Sequence, residues 1–117
     1  MQHHVKNRTL GRTRRGRTAL LRGLALSLLS EGKIKTTEAK AKELRPFVER
    51  LITTAKADSV AARRTVSTRL GEPKTEVIAR IFADVAPKYA DRPGGYTRII
   101  KMGRTPAGRD EALIELV

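Results

Sequence analysis

Six arginines, Arg8, Arg12, Arg14, Arg15, Arg17 and Arg22, fall within the seventeen positions from Asn7 to Gly23, with no acidic residue and no lysine among them. A guanidinium keeps its charge at every relevant pH, and its planar fork of five donors matches phosphate oxygens. Its flat face also stacks on an unpaired base. Lysine would supply charge without that geometry, so the choice of arginine points to phosphate recognition. A solvated basic face with no ligand is the bland alternative, but like charges packed this closely repel unless an anion relieves them.

A second set of cations is spread along the rest of the chain. Lys33, Lys35, Lys40 and Lys42 come first, then Arg63 and Arg64, then Arg98, Lys101, Arg104 and Arg109. Any one of these groups is as easily ordinary surface as a contact. Their recurrence on separate elements suits a protein that holds a folded polyanion from several sides.

Candidates for catalysis are missing. The sequence contains no Walker loop, Rossmann glycine pattern, nucleophile elbow or HExxH. Two histidines, His3 and His4, are adjacent near the N-terminus with no third to complete a metal site, so no metal and no cofactor is expected. Glu38, Glu43 and Glu49 alternate with bases and are expected to form surface pairs. Four aromatic residues do not interleave with the cations as a base-stacking platform would; Phe47 and Phe82 sit at core spacing, and Tyr96, beside Gly94 and Gly95, either stacks on a base or, the preferred reading, ends a strand.

The totals agree with this reading. In 117 residues, 25 Lys and Arg face 12 Asp and Glu, a net charge of +13, and 39% of the residues are hydrophobic. One domain with one modest core and a polyanionic partner is the simplest account. The first 30 residues carry seven cations and no acid, so a basic arm precedes a milder body. Cysteine is absent, which excludes disulfides and thiolate metal sites. The apolar run Gly23 to Leu29 falls far short of the roughly 18 residues of a membrane span. The acid-free, arginine-rich start mimics a transit peptide, yet the helical pattern continues past any cleavage point.

The elements that position these residues are legible in outline. Residues 1–12 read as an extended basic arm and 13–117 as a single α+β domain. A first helix is predicted from Thr13 to Ser30, with Leu20, Leu21, Leu24, Ala25, Leu28 and Leu29 on its apolar face and Gly32 just past its end. Residues 33–37 read as a strand, after which Thr37 caps a second helix. Its apolar positions, Ala41, Leu44, Val48, Leu51, Ile52 and Ala55, keep the helical period for about five turns, with a bend expected before Pro46. A third helix is predicted from Asp58 or Ser59 to Leu70, closed by Gly71. A fourth has Pro73 in its first turn and ends at Pro87. Two final strands, "YTRIIKM" with Tyr96, Arg98, Ile100 and Met102 on one side, and "ALIELV", are predicted to form an antiparallel hairpin. The expected fold is two layers, about four helices on one face of a small three-stranded sheet.

The string "IKTTEAKAKELR" at 34–45, with "LITTAKADSVAARR" at 51–64, "GGYTRIIKMG" at 94–103 and the "H…R…LGR…R…ALLR" arrangement before them, resembles the bacterial large-subunit ribosomal protein seventeen family over essentially the whole chain. The resemblance implies a cytoplasmic structural protein of the ribosome, not an enzyme. Its partners would be large-subunit ribosomal RNA and neighbouring ribosomal proteins, with no membrane or small-molecule substrate. It further implies an arm inserted among RNA helices and a body near the exit side of the peptide tunnel. Carried over by position, the RNA-facing residues are His4, Lys6, Arg8, Arg12, Arg15, Arg17, Arg22, Lys35, Lys40, Lys42 and Arg98. The charge pattern adds Arg14, Arg63 and Arg64. One departure is Gly16, where the family often has a histidine, so a contact made by that imidazole has no counterpart and a looser helix start is expected. The alternative that charge leaves open is a double-stranded DNA-binding or nucleoid-associated protein, which would use a helix pair about the Gly71 turn.

Overall fold

The computed structural model describes residues 13–117; the expected arm, with His4, Lys6, Arg8 and Arg12, lies outside the described residues. Helix α1 (Arg14–Glu31) is capped by Thr13, whose hydroxyl accepts a hydrogen bond from the Gly16 amide at 3.2 Å. The helix start is therefore satisfied despite the glycine at position 16. At the other end Gly32 takes the left-handed conformation (φ +84°) that a side chain would disfavour, and its amide closes on the Leu28 carbonyl.

The reversal at Gly32 leads into strand β1 (Lys33–Thr37), and Thr37 at once caps helix α2 (Glu38–Ala55) through the Lys40 amide at 3.3 Å. All six expected apolar positions of α2 are buried, and Pro46 is carried inside an unbroken helix. Helix α3 (Val60–Arg69) is capped by Ser59.

Helix α4 (Thr75–Arg80) departs from expectation at both ends. Pro73 precedes the cap residue Lys74 and is not in the first turn. Pro87 does not stop the helix; α4 passes into a π-helical turn (Ile81–Val85) and a last helical turn (Ala86–Lys88). Proline cannot donate to the carbonyl four residues back and its ring crowds it, and a widened turn before Pro87 accommodates both. The same turn brings Ile81, Phe82 and Val85 together on the buried side.

Strands β2 (Thr97–Arg104) and β3 (Asp110–Leu116) form the expected antiparallel hairpin, and β3 is central in the order β1–β3–β2. Both pairings are antiparallel, with Lys35 opposite Leu113 and Ile100 opposite Leu113 across the sheet. A bulge at Met102 shifts the register between Lys101 and Gly103. Tyr96 lies before the strand and is buried, so only Arg98, Ile100 and Met102 of the expected face point outward.

Helices α1 and α2 lie on the sheet, while α3 and α4 pack beyond them, with α3 against α2. One continuous core joins Leu28, Leu44, Val48, Ile52, Val66, Phe82 and Ile114. Phe47 is half-buried at its edge. At the sheet end of that core the Tyr89 and Tyr96 rings meet at 5.2 Å, and the Tyr89 hydroxyl donates to the Val117 carbonyl at 2.6 Å. Among the described residues no helix is long and apolar enough to cross a membrane.

Candidate nucleic-acid interface

The N-terminal turn of α1 sets out its arginines in two ways. Arg14 and Arg15 are exposed and no ion pair among the described residues reaches them. They stand where the unpaired amides and dipole of a helix start already favour an anion. Arg17, one turn on, reaches across to α2 and meets the Glu43 carboxylate at 2.8 Å, with Glu43 only 6% exposed. Glu43 is thus a buried partner, contrary to its expected place in a surface pair. The reason lies in the crossing of α1 over α2, which no spacing within either helix reveals.

Arg22 also has an internal role. Its guanidinium donates to the carbonyls of Arg69 (3.1 Å) and Thr68 (3.5 Å) at the end of α3. A helix end leaves such carbonyls unsatisfied, and a cation there is favoured by the dipole as well. Two of the four arginines on α1 therefore fix the helix to the body, and two face outward.

The second set is divided in the same manner. Lys42 binds Glu38 at 2.9 Å, and Lys101 approaches the same carboxylate at 3.5 Å from β2. The hydrogen bond from Lys42, with Lys101 nearby, holds the Glu38 carboxyl below the usual glutamate range. On the outer sheet face, Lys35 pairs with Glu111 at 3.4 Å and Arg98 with Glu115 at 2.6 Å. These are exposed pairs, worth no more than about 1 kcal/mol, and a phosphate can compete for their cations. Lys40 and Arg64 enter no ion pair among the described residues. Arg63 binds Asp58 at 3.0 Å and lies 5.0 Å from the Phe82 ring. Arg63 and Arg64 sit on α3, whose main contacts are with α2 and α4, so the fold does not gather them with the sheet cations.

Two cations that the sequence reading did not select are brought together. Arg50 on α2 and Arg69 at the end of α3 line a groove of about 430 Å³ with Thr53, Thr54, Pro93 and Gly94. Half of that arrangement has a sequence signal, since Glu49 and Thr53, and Arg50 and Thr54, recur at the four-residue helical spacing on one side of α2. Arg69 and the 93–95 turn arrive only through the tertiary fold. Tyr96 lies at the same groove, but its ring is buried and its hydroxyl accepts from Thr53 (3.2 Å) and Lys56 (3.1 Å), so it offers no free face for a base.

The arginines of α1 thus divide into an outward-facing set and a set tethered to the body, and comparison with known proteins shows the family that shares this chain. Residues 20–117 match the family model described as Ribosomal protein L17. The chain belongs to the ribosomal protein L17 family. It is similar to the large ribosomal subunit protein bL17 of Gemmatimonas aurantiaca, 51% identical over 118 residues that cover all of this chain and 98% of that protein. The bL17 proteins of Hydrogenobaculum sp. (48% identical, 100% and 99% covered) and Exiguobacterium sp. (50% identical, 92% and 96% covered) are comparable. As a member of the L17 family the chain is a structural ribosomal protein of the cytoplasm and not an enzyme. The family match begins within α1, and the alignments to the L17 relatives extend through its arginine-bearing first turn. The helix pair at Gly71, which a duplex-DNA reader would require, has only six residues in α4 before the π turn and sets Ile78, Ile81 and Phe82 into the core.

Proposed function

We propose that this protein is a structural constituent of the bacterial large ribosomal subunit that binds and stabilises large-subunit ribosomal RNA, with the arginine-rich arm and α1 as its principal contact. The observation that carries the reading is the pair Arg14 and Arg15, held outward with no acidic partner among the described residues at a capped helix start, on a helix clamped to the body by Arg17 and Arg22. Its mechanism is neutralisation and shape recognition. Guanidinium groups displace counterions from phosphates and allow RNA segments to pack that would otherwise repel. The residues of the arm, His4, Lys6, Arg8 and Arg12, extend the same chemistry along the RNA. Lys35, Lys40, Lys42, Arg63, Arg64 and Arg98 supply contacts from the other elements.

The names of the relatives support this partner, since each is a large-subunit protein. The test is the double variant Arg14→Ala/Arg15→Ala with Arg17 left in place. In a cell lysate fractionated on a density gradient, the variant is expected to shift from the large subunit toward free protein, with an unchanged melting temperature. Normal incorporation would refute the assigned role of α1.

A further inference from the structure

We propose that the groove between α2, the end of α3 and the 93–95 turn is a binding site for a single unpaired nucleotide of RNA, with its phosphate held between Arg50 and Arg69. The inference rests on the RNA-binding role above and adds to it a site and a strandedness.

Shape supplies the first argument. About 430 Å³ lies at the lower end of the roughly 300–1,000 Å³ typical of small-ligand sites, the scale of one nucleotide. A duplex is convex and keeps its phosphates on the outside of a wide cylinder, so it cannot enter a recess of this size. An unpaired nucleotide can be turned out of its strand into it. The chemistry of the lining agrees. Arg50 and Arg69 are exposed and enter no ion pair among the described residues, so both forks are available to phosphate oxygens. Thr54 offers a hydroxyl, and Thr53, whose proton goes to the Tyr96 hydroxyl, an acceptor oxygen, both suited to a ribose 2′-OH, which DNA lacks. Gly94 carries no side chain, and a Cβ there would meet nothing within 4 Å, so the wall beside Pro93 is open.

The carboxylate in the groove, Glu49, keeps its negative charge but is anchored away from the two arginines' forks: its Oε2 accepts from the Thr97 amide (3.2 Å) and the Thr97 hydroxyl (2.8 Å), and Arg45 at 3.7 Å offsets part of the charge, leaving Arg50 and Arg69 to outweigh it. The groove also has a direction. Arg50 lines a second, smaller recess with Arg17, Thr18, Glu43 and Phe47, which leads back to the start of α1. A strand leaving the Arg14–Arg15 end would therefore pass Arg50 and reach Arg69.

The experiment measures binding of the full chain to a labelled oligouridylate and to a blunt RNA duplex of equal length by fluorescence anisotropy. Arg50→Ala/Arg69→Ala is expected to weaken oligouridylate binding about tenfold or more and duplex binding by less than about threefold. Arg50→Lys/Arg69→Lys, which keeps the charge and loses the fork, is expected to fall between. Both positions are exposed, so the variants should keep the wild-type melting temperature. Unchanged oligouridylate affinity, an equal loss on both RNAs, or a wild-type chain that does not bind the oligouridylate would overturn the proposal. None of these outcomes touches the binding of wild-type protein to ribosomal RNA, which tests the broader reading separately.

Discussion

At the scale of single residues, the division between cations that bind outward and cations that hold the protein together governs what a substitution does. Arg17→Ala removes the 2.8 Å partner of a buried carboxylate and is expected to lower stability by about 2 kcal/mol or more in urea denaturation. Arg14→Ala/Arg15→Ala removes no internal partner and should stay within about 0.5 kcal/mol of wild type. Glu38 gives a pH signature. Its carboxyl titrates below the usual range because Lys42 and Lys101 favour the ionised form. A depressed folded value means that its contribution is complete above the ordinary glutamate value and is lost as pH falls through the folded one. The side-chain carbon resonance of Glu38 should show a midpoint below that of an unpaired glutamate, and Lys42→Ala should move it upward. Little of this division is legible in the sequence: Glu43 and Glu38 both read as members of surface pairs, and only the packing of α1 against α2 sets one of them inside.

At the scale of elements, much of the fold is read correctly because its signals are local. Thr37 caps α2 as expected, Ser59 rather than Asp58 caps α3, and Gly32 ends α1, since caps and left-handed glycines act over three or four residues; Thr13, read only as the start of the first helix, is its cap. The errors fall where neighbours decide. Pro87 reads as a helix stop, yet the core packing of Ile81, Phe82 and Val85 keeps the chain helical through a wider turn. Tyr96 follows the alternation of β2 on paper but is drawn into the core beside Tyr89. The cap at Thr13 links an element to function. Thr13→Ala should cost about 1 kcal/mol of stability and fray the turn that carries Arg14 and Arg15. Its affinity for large-subunit RNA should therefore fall although no cation is lost, which hydrogen exchange at the Gly16 and Arg17 amides and a binding isotherm together would check.

At the scale of the whole molecule, the two-layer body is a mount for charge. Its core is continuous from the sheet through α1 and α2 to the outer helices, so cations on separate elements are held at fixed separations, as the proposed grip on a folded RNA requires. A polyanionic partner is the expectation that composition alone raises, and the family strings narrow the proposed partner to ribosomal RNA. The groove of Arg50 and Arg69 is not legible, because its walls come from three segments distant in sequence. The most direct test of the central claim is the salt dependence of binding to protein-free large-subunit RNA, compared between wild type and Arg14→Ala/Arg15→Ala. Wild-type affinity should fall steeply with salt, and the variant's logarithmic slope should be shallower by about 1.5, the share of two phosphate contacts. Equal slopes and equal affinities would contradict the claim that these arginines neutralise phosphate.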